Sequence, residues 1–124
     1  MKPAKPNRKT GIAHFIAATG YSIAGARRLS RESAARHELL LGAVGMAALA
    51  FFGASLGHYI GFVILLAALI AIEALNTALE EVVNHLSPEW SQMAKEAKDL
   101  GSLAVGLMVI ANLVYLGAVI VGFI

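Results

Sequence analysis

Two stretches of the chain, Leu39 to Ile72 and Leu100 to Ile124, contain no formally charged residue, and they set the architecture. As a single helix the first would be about 51 Å long against a hydrocarbon layer of about 30 Å, so it must hold two spans and a turn. The turn is expected at Gly53-Ala-Ser-Leu-Gly57-His58, where two glycines and a serine interrupt the apolar run. The pattern therefore predicts spans over about 34–55, 59–83 and 100–122. Ahead of the third, Ser87 is placed to cap a helix, Pro88 to occupy its first turn and Glu89 to meet its positive end, so that helix is expected to start there. From Gly11 onward Ile12, Phe15, Ile16 and Ile23 recur at helical spacing and Arg27 and Arg28 follow, which suits an amphipathic interfacial helix over about 11–28, or a packing helix. Residues 1–10 carry two prolines and four basic residues and read as a disordered tail, and 11–124 read as one membrane domain.

Composition narrows the class. Of 124 residues 58% are hydrophobic and 15% charged, and the mean hydropathy is +0.71, so the chain is an all-α integral membrane protein with three transmembrane helices, neither a soluble domain nor disordered. With no cysteine there is neither a disulfide framework nor a thiolate site. The first long apolar run begins too far from the start for a cleavable signal peptide. All ten Lys and Arg lie before Leu39 or in the 84–99 connection, which places the amino terminus in the cytoplasm and the carboxyl terminus outside. The same placement turns a pI of about 9.2 into a signal for anionic lipid and membrane orientation, with no nucleic acid partner.

Chemistry concentrates in Glu73-Ala-Leu-Asn76-Thr77-Ala-Leu-Glu80. Carboxylates inside a membrane helix are expensive, and Glu73, Asn76, Thr77, Glu80 and Asn84 fall on one side of the helix as a polar stripe. Glu80 would lie at the cytoplasmic boundary, where a carboxylate suits Mg²⁺, and Glu73 roughly 10 Å deeper, where it suits proton acceptance. The competing account is interhelical hydrogen bonding, which Asn76 and Thr77 fit well and two carboxylates fit less well. Burial of Glu73 against a neighbouring chain is the simplest way to keep it from lipid. Lys98 and Asp99 form a second cluster with Ser102, either a phosphate site in which Asp99 holds Lys98, or a positive-inside anchor with a counter-charge. Glu32, with Arg36 four residues on, reads by itself as a surface ion pair. The four histidines show no zinc-ligand spacing, and no phosphate-binding glycine loop is present.

The segment Glu73-Ala-Leu-Asn-Thr-Ala-Leu-Glu-Glu-Val-Val, the later Ala97-Lys-Asp-Leu-Gly-Ser102 and the earlier Gly20-Tyr21-Ser22 and Arg31-Glu-Ser-Ala-Ala-Arg-His-Glu38 together resemble the small integral-membrane diacylglycerol kinases of bacteria. The resemblance covers nearly everything after the first ten residues. It implies an ATP:diacylglycerol phosphotransferase of the inner membrane, dependent on Mg²⁺ and assembled as a homotrimer with active sites shared between neighbours. By the same resemblance Glu73 would be the proton acceptor, with Asn76 beside it as a catalytic residue and Ser102 near the lipid substrate. Glu32 and Glu80 would be Mg²⁺ ligands, while His14, Tyr21, Glu89, Trp90, Ser91, Lys98 and Asp99 would bind the nucleotide. His14 stands where better-known members have arginine, Asn84 replaces a common aspartate, and His85 follows it where arginine can occur. An undecaprenol kinase on the same motifs and a small proton-coupled transporter are the alternatives. The transporter has no need of Lys98 and Asp99 or of a carboxylate at the water boundary.

Overall fold

A computed structural model describes residues 2–124, which form four helices: α1 (Gly11–Leu29), α2 (Ser33–Phe51), α3 (Leu56–Leu86) and α4 (Gln92–Ile120). Three of them, α2, α3 and α4, are long and apolar enough to cross a membrane. Residues 2–10 have no regular secondary structure.

The ends of the helices explain their lengths. α2 stops at Phe51 because Gly53 takes a left-handed backbone (φ +67°), letting Ala54 N–H reach Leu49 O at 2.9 Å and Gly53 N–H reach Ala50 O at 3.2 Å. This pair of bonds satisfies carbonyls that would otherwise be orphaned at a helix end. α3 then starts at Leu56, three residues earlier than Tyr59, because Ser55 and His58 close a reciprocal cap in which His58 Nδ1 accepts from Ser55 N–H at 3.2 Å. At the other end of α3 the expectation of a helix starting from Ser87 is overturned. Ser87 is the C-cap of α3, and its hydroxyl donates to Glu89 O at 2.9 Å. Ser91 takes the N-cap role instead, accepting from Ala94 N–H at 3.1 Å, so α4 begins at Gln92. Two serines compete for one cap, and the one whose hydroxyl is free to face the new helix prevails.

The most extensive packing is between α3 and α4, α2 packs against both, and α1 makes only a slight contact with α3. The core is built from Leu49, Phe62, Leu116 and Val119, with Tyr59 and Tyr115 against it. Glycine permits a close approach here: the Phe62 ring lies over Gly45, in the space that a Cβ there would need. Two polar side chains tie α4 to α3. Asn112 is fully buried and donates to Leu65 O at 3.2 Å and to Met108 O at 2.8 Å, and the Tyr115 hydroxyl donates to His58 O at 2.9 Å. Away from these seams Leu40, Val44, Ile64, Leu107, Ile110 and Val114 are exposed, as side chains that meet lipid or another chain must be.

Candidate active site

The polar stripe of α3 divides once the neighbouring helices are in place. Glu73, Asn76 and Glu80 line a cavity of about 310 Å³ together with Glu32 and Ser33 at the start of α2 and Ser102 of α4. Thr77 leaves the stripe and lines an apolar groove between α1 and α3. Asn84, one turn beyond Glu80, accepts a hydrogen bond from Lys98 Nζ at 2.7 Å. It also lines a second cavity, of about 330 Å³, with Glu89, Trp90, Ser91, Lys98 and Asp99. The two cavities are stacked along the same α3 and α4 faces, for Glu80 precedes Asn84 by four residues and Lys98 precedes Ser102 by four. Of the side chains that the sequence singles out, Glu32, Glu73, Asn76, Glu80 and Ser102 line the first cavity, and Glu89, Trp90, Ser91, Lys98 and Asp99 the second. His14 and Tyr21 line neither, and both are exposed on α1.

Two expected pairings and one expected burial are different in the structure. Glu32 pairs with Arg28 at 2.6 Å and not with Arg36, because Glu32 is the N-cap residue of α2 and its extended backbone turns the carboxylate back toward α1. Asp99 pairs with Lys95 at 2.6 Å and not with Lys98, because adjacent helical residues point about 100° apart and the i−4 neighbour is the one in reach. Glu73 is only 5% exposed within a single chain, so no neighbouring chain is needed to bury it.

Beside it lies Glu38 of α2, which sequence reasoning does not single out as a functional residue. Glu38 is itself 5% exposed, its carboxyl lies beside that of Glu73, and Glu38 Oε2 has no hydrogen-bond partner. The two carboxyl groups thus form a buried acidic pair between α2 and α3. Its only trace in the sequence is a carboxylate immediately before the first long apolar run.

Asn76 is fixed by a glycine. Its buried Oδ1 has no hydrogen-bond partner, and it occupies the space that a Cβ on Gly101 of α4 would take. Lys98 is held by the neutral oxygen of Asn84 and forms no ion pair among the described residues. It shares the second cavity with Lys95, Glu89 and Asp99, and its ammonium can donate to a phosphate there. Arg28, by contrast, bridges Glu32 and Glu81, and those two carboxylates raise its proton affinity, Glu32 most.

Three helices able to span a membrane, an acidic cavity among α2, α3 and α4, and a second cavity of mixed charge one helical turn along α3 and α4 define a membrane protein with a polar site between its helices. Comparison with known proteins makes the class specific. Residues 20–120 match the family described as prokaryotic diacylglycerol kinase. A Sinorhizobium diacylglycerol kinase is 46% identical over 114 residues, covering 92% of this chain and 83% of that protein. The Pseudomonas aeruginosa diacylglycerol kinase is 34% identical over 105 residues (84% and 85% covered), and that of Haemophilus influenzae 32% over 99 residues (79% and 84%). The chain belongs to the prokaryotic diacylglycerol kinase family. It is an enzyme, a lipid kinase, and ATP is its co-substrate.

Proposed function

We propose that this protein transfers the γ-phosphoryl group of ATP to the free hydroxyl of diacylglycerol, giving phosphatidic acid and ADP at the cytoplasmic surface of the bacterial inner membrane. The observation that carries this reading is the gathering of Glu73, Asn76, Glu80, Glu32 and Ser102 around one cavity, with Lys98 in the next. Phosphoryl transfer demands positioning and charge stabilisation more than covalent chemistry, and the two cavities divide that work. Lys98, with Glu89, Trp90, Ser91 and Asp99 around it, receives the nucleotide from water. The deeper cavity receives the lipid hydroxyl, which lies just beneath the headgroups.

Glu73 takes the proton from that hydroxyl as its oxygen bonds to the γ-phosphorus and the bond to ADP breaks. Glu38 holds the Glu73 carboxyl in place. Asn76 and Ser102 orient the reacting groups from either side. The donor set also fits Mg²⁺, an ion commonly held by one or two carboxylates together with substrate phosphates. Glu32 and Glu80 face the same cavity, and Glu80 forms no ion pair among the described residues. These two carboxylates would hold the ion, which supplies charge neutralisation on the phosphates when bound. We further assign α1 to the membrane interface, the amino terminus to the cytoplasm and the assembly to a homotrimer. His14 and Tyr21, exposed on α1, then meet the nucleotide only when it is bound or across a subunit boundary.

Consumption of ATP tests this reading against a proton-coupled transporter. ATP turnover by the purified protein is expected to require a lipid alcohol in the micelle, and turnover indifferent to that addition would contradict a kinase. Gly101→Ala supplies a second test, because its methyl group would displace Asn76. The variant is expected to lose about 1–3 kcal/mol of stability and about 100-fold in transfer rate. Thermal unfolding and the initial rate, measured on the same sample, check both. A rate equal to that of the unmodified protein would show that Asn76 is not held where the reaction needs it.

A further inference from the structure

Arg28 stands at the junction of three helices. Its guanidinium Nη1 donates to Glu32 Oε1 at 2.6 Å and its Nη2 to Glu81 Oε1 at 2.5 Å, so a residue near the end of α1 grips the N-cap residue of α2 and the solvent side of α3 at once. Apart from this grip α1 is weakly attached, for it has no buried residue. Glu32 is an unusual N-cap, since its side chain makes no capping bond and is directed toward Arg28 and the polar cavity. Glu81 does not line the polar cavity. It borders the apolar groove of about 670 Å³ between α1 and α3, on the opposite side of the ion pair.

An ion pair this exposed contributes little to stability, since Arg28 and Glu81 retain 41% and 64% of their side-chain exposure. What a planar guanidinium with two parallel donors supplies is orientation. We propose that Arg28, anchored on Glu81, is a positioning residue for Glu32: it fixes one carboxylate oxygen of Glu32 and leaves the other to face the cavity. This rests on the reading above in which Glu32 is a divalent-cation ligand. The arrangement makes cation binding depend on the seating of α1 against α3, because a displaced α1 withdraws Arg28 and frees the Glu32 side chain to rotate.

The test uses the full-length protein in micelles and Mn²⁺ alone as probe, followed through the electron paramagnetic resonance signal of the free ion, alongside Mg²⁺ titrations of lipid phosphorylation and thermal unfolding. Arg28→Met is expected to weaken Mn²⁺ binding about 10-fold and to raise the half-saturating Mg²⁺ by the same factor, as loss of a supporting partner does at other metal sites. The melting temperature and the rate at saturating Mg²⁺ stay close to those of the unmodified protein. Glu81→Gln, remote from the cavity, moves both titrations in the same direction by a smaller factor, and Arg28→Lys recovers only part of the loss. Arg28→Met and Glu81→Gln variants that bind Mn²⁺ normally, beside a Glu32→Gln variant that does not, would overturn the positioning role while leaving the ligand reading intact. Normal Mn²⁺ binding by Glu32→Gln would overturn the ligand reading, and the proposal with it.

Discussion

Replacing Glu73 by glutamine is expected to lower phosphoryl transfer by about 10³-fold or more while the protein still folds and assembles. The magnitude follows from the removal of a positioned general base. Glutamine has nearly the same shape and can donate its amide hydrogen to Glu38, so the packing of α2 against α3 is preserved, but it cannot take a proton from the lipid hydroxyl. The loss should therefore fall on kcat, with the apparent KM for ATP within about threefold, because Lys98 and the residues around it that are proposed to bind the nucleotide line the other cavity. Steady-state kinetics with size-exclusion chromatography on the same preparation separate the cases. An unchanged kcat would remove Glu73 from the chemistry, and a collapse of the oligomer would make it a structural residue.

The second large effect belongs to Glu80. In Glu80→Gln an amide oxygen remains at the cavity wall but its charge is gone, so the Mg²⁺ needed for half-maximal rate should rise by about 10- to 100-fold. Excess Mg²⁺ should restore much of the rate, in contrast to Glu73→Gln, which no metal concentration rescues. That difference distinguishes a ligand from a base more sharply than either rate alone. A Mg²⁺ titration superimposable on that of the unmodified protein would exclude Glu80 as a ligand.

Much of this site is legible in the amino-acid sequence, and the physical reason is periodicity. A carboxylate in an apolar helix stands out against its background, and helical spacing alone joins Glu73, Asn76 and Glu80. What spacing does not reveal depends on tertiary packing or on finer local geometry. Glu38 is followed by Leu39 and preceded by a charged segment, so it reads as a residue at the water boundary, and only the crossing of α2 over α3 shows it buried against Glu73. Thr77 falls within the stripe by angle, yet α1 covers its side of α3 and draws it into the apolar groove. The partner of Glu32 is Arg28 rather than Arg36 because the rule of pairs four residues apart holds inside a helix, and Glu32 stands just outside one. Gly101 gives no signal as a site residue at all. Its contribution is the absence of a side chain where Asn76 needs room.

The fold shows the same division. Three spans follow from charge-free length, but the choice of Ser91 over Ser87 as the cap of α4 depends on which hydroxyl the turn consumes. That choice shapes the second cavity. By delaying α4 to Gln92 the chain leaves Ser87 to Ser91 non-helical, and these residues line the cavity that Lys98 also lines.

The central claim is that the acidic cavity phosphorylates the hydroxyl of diacylglycerol, and the most direct measurement is transfer of label from γ-labelled ATP with Mg²⁺ in mixed micelles. Diacylglycerol and undecaprenol are offered in separate reactions and the lipid products are separated and counted. The account predicts labelled phosphatidic acid, formed only with Glu73 intact. Label on undecaprenol alone, or on neither lipid from folded protein, would contradict it.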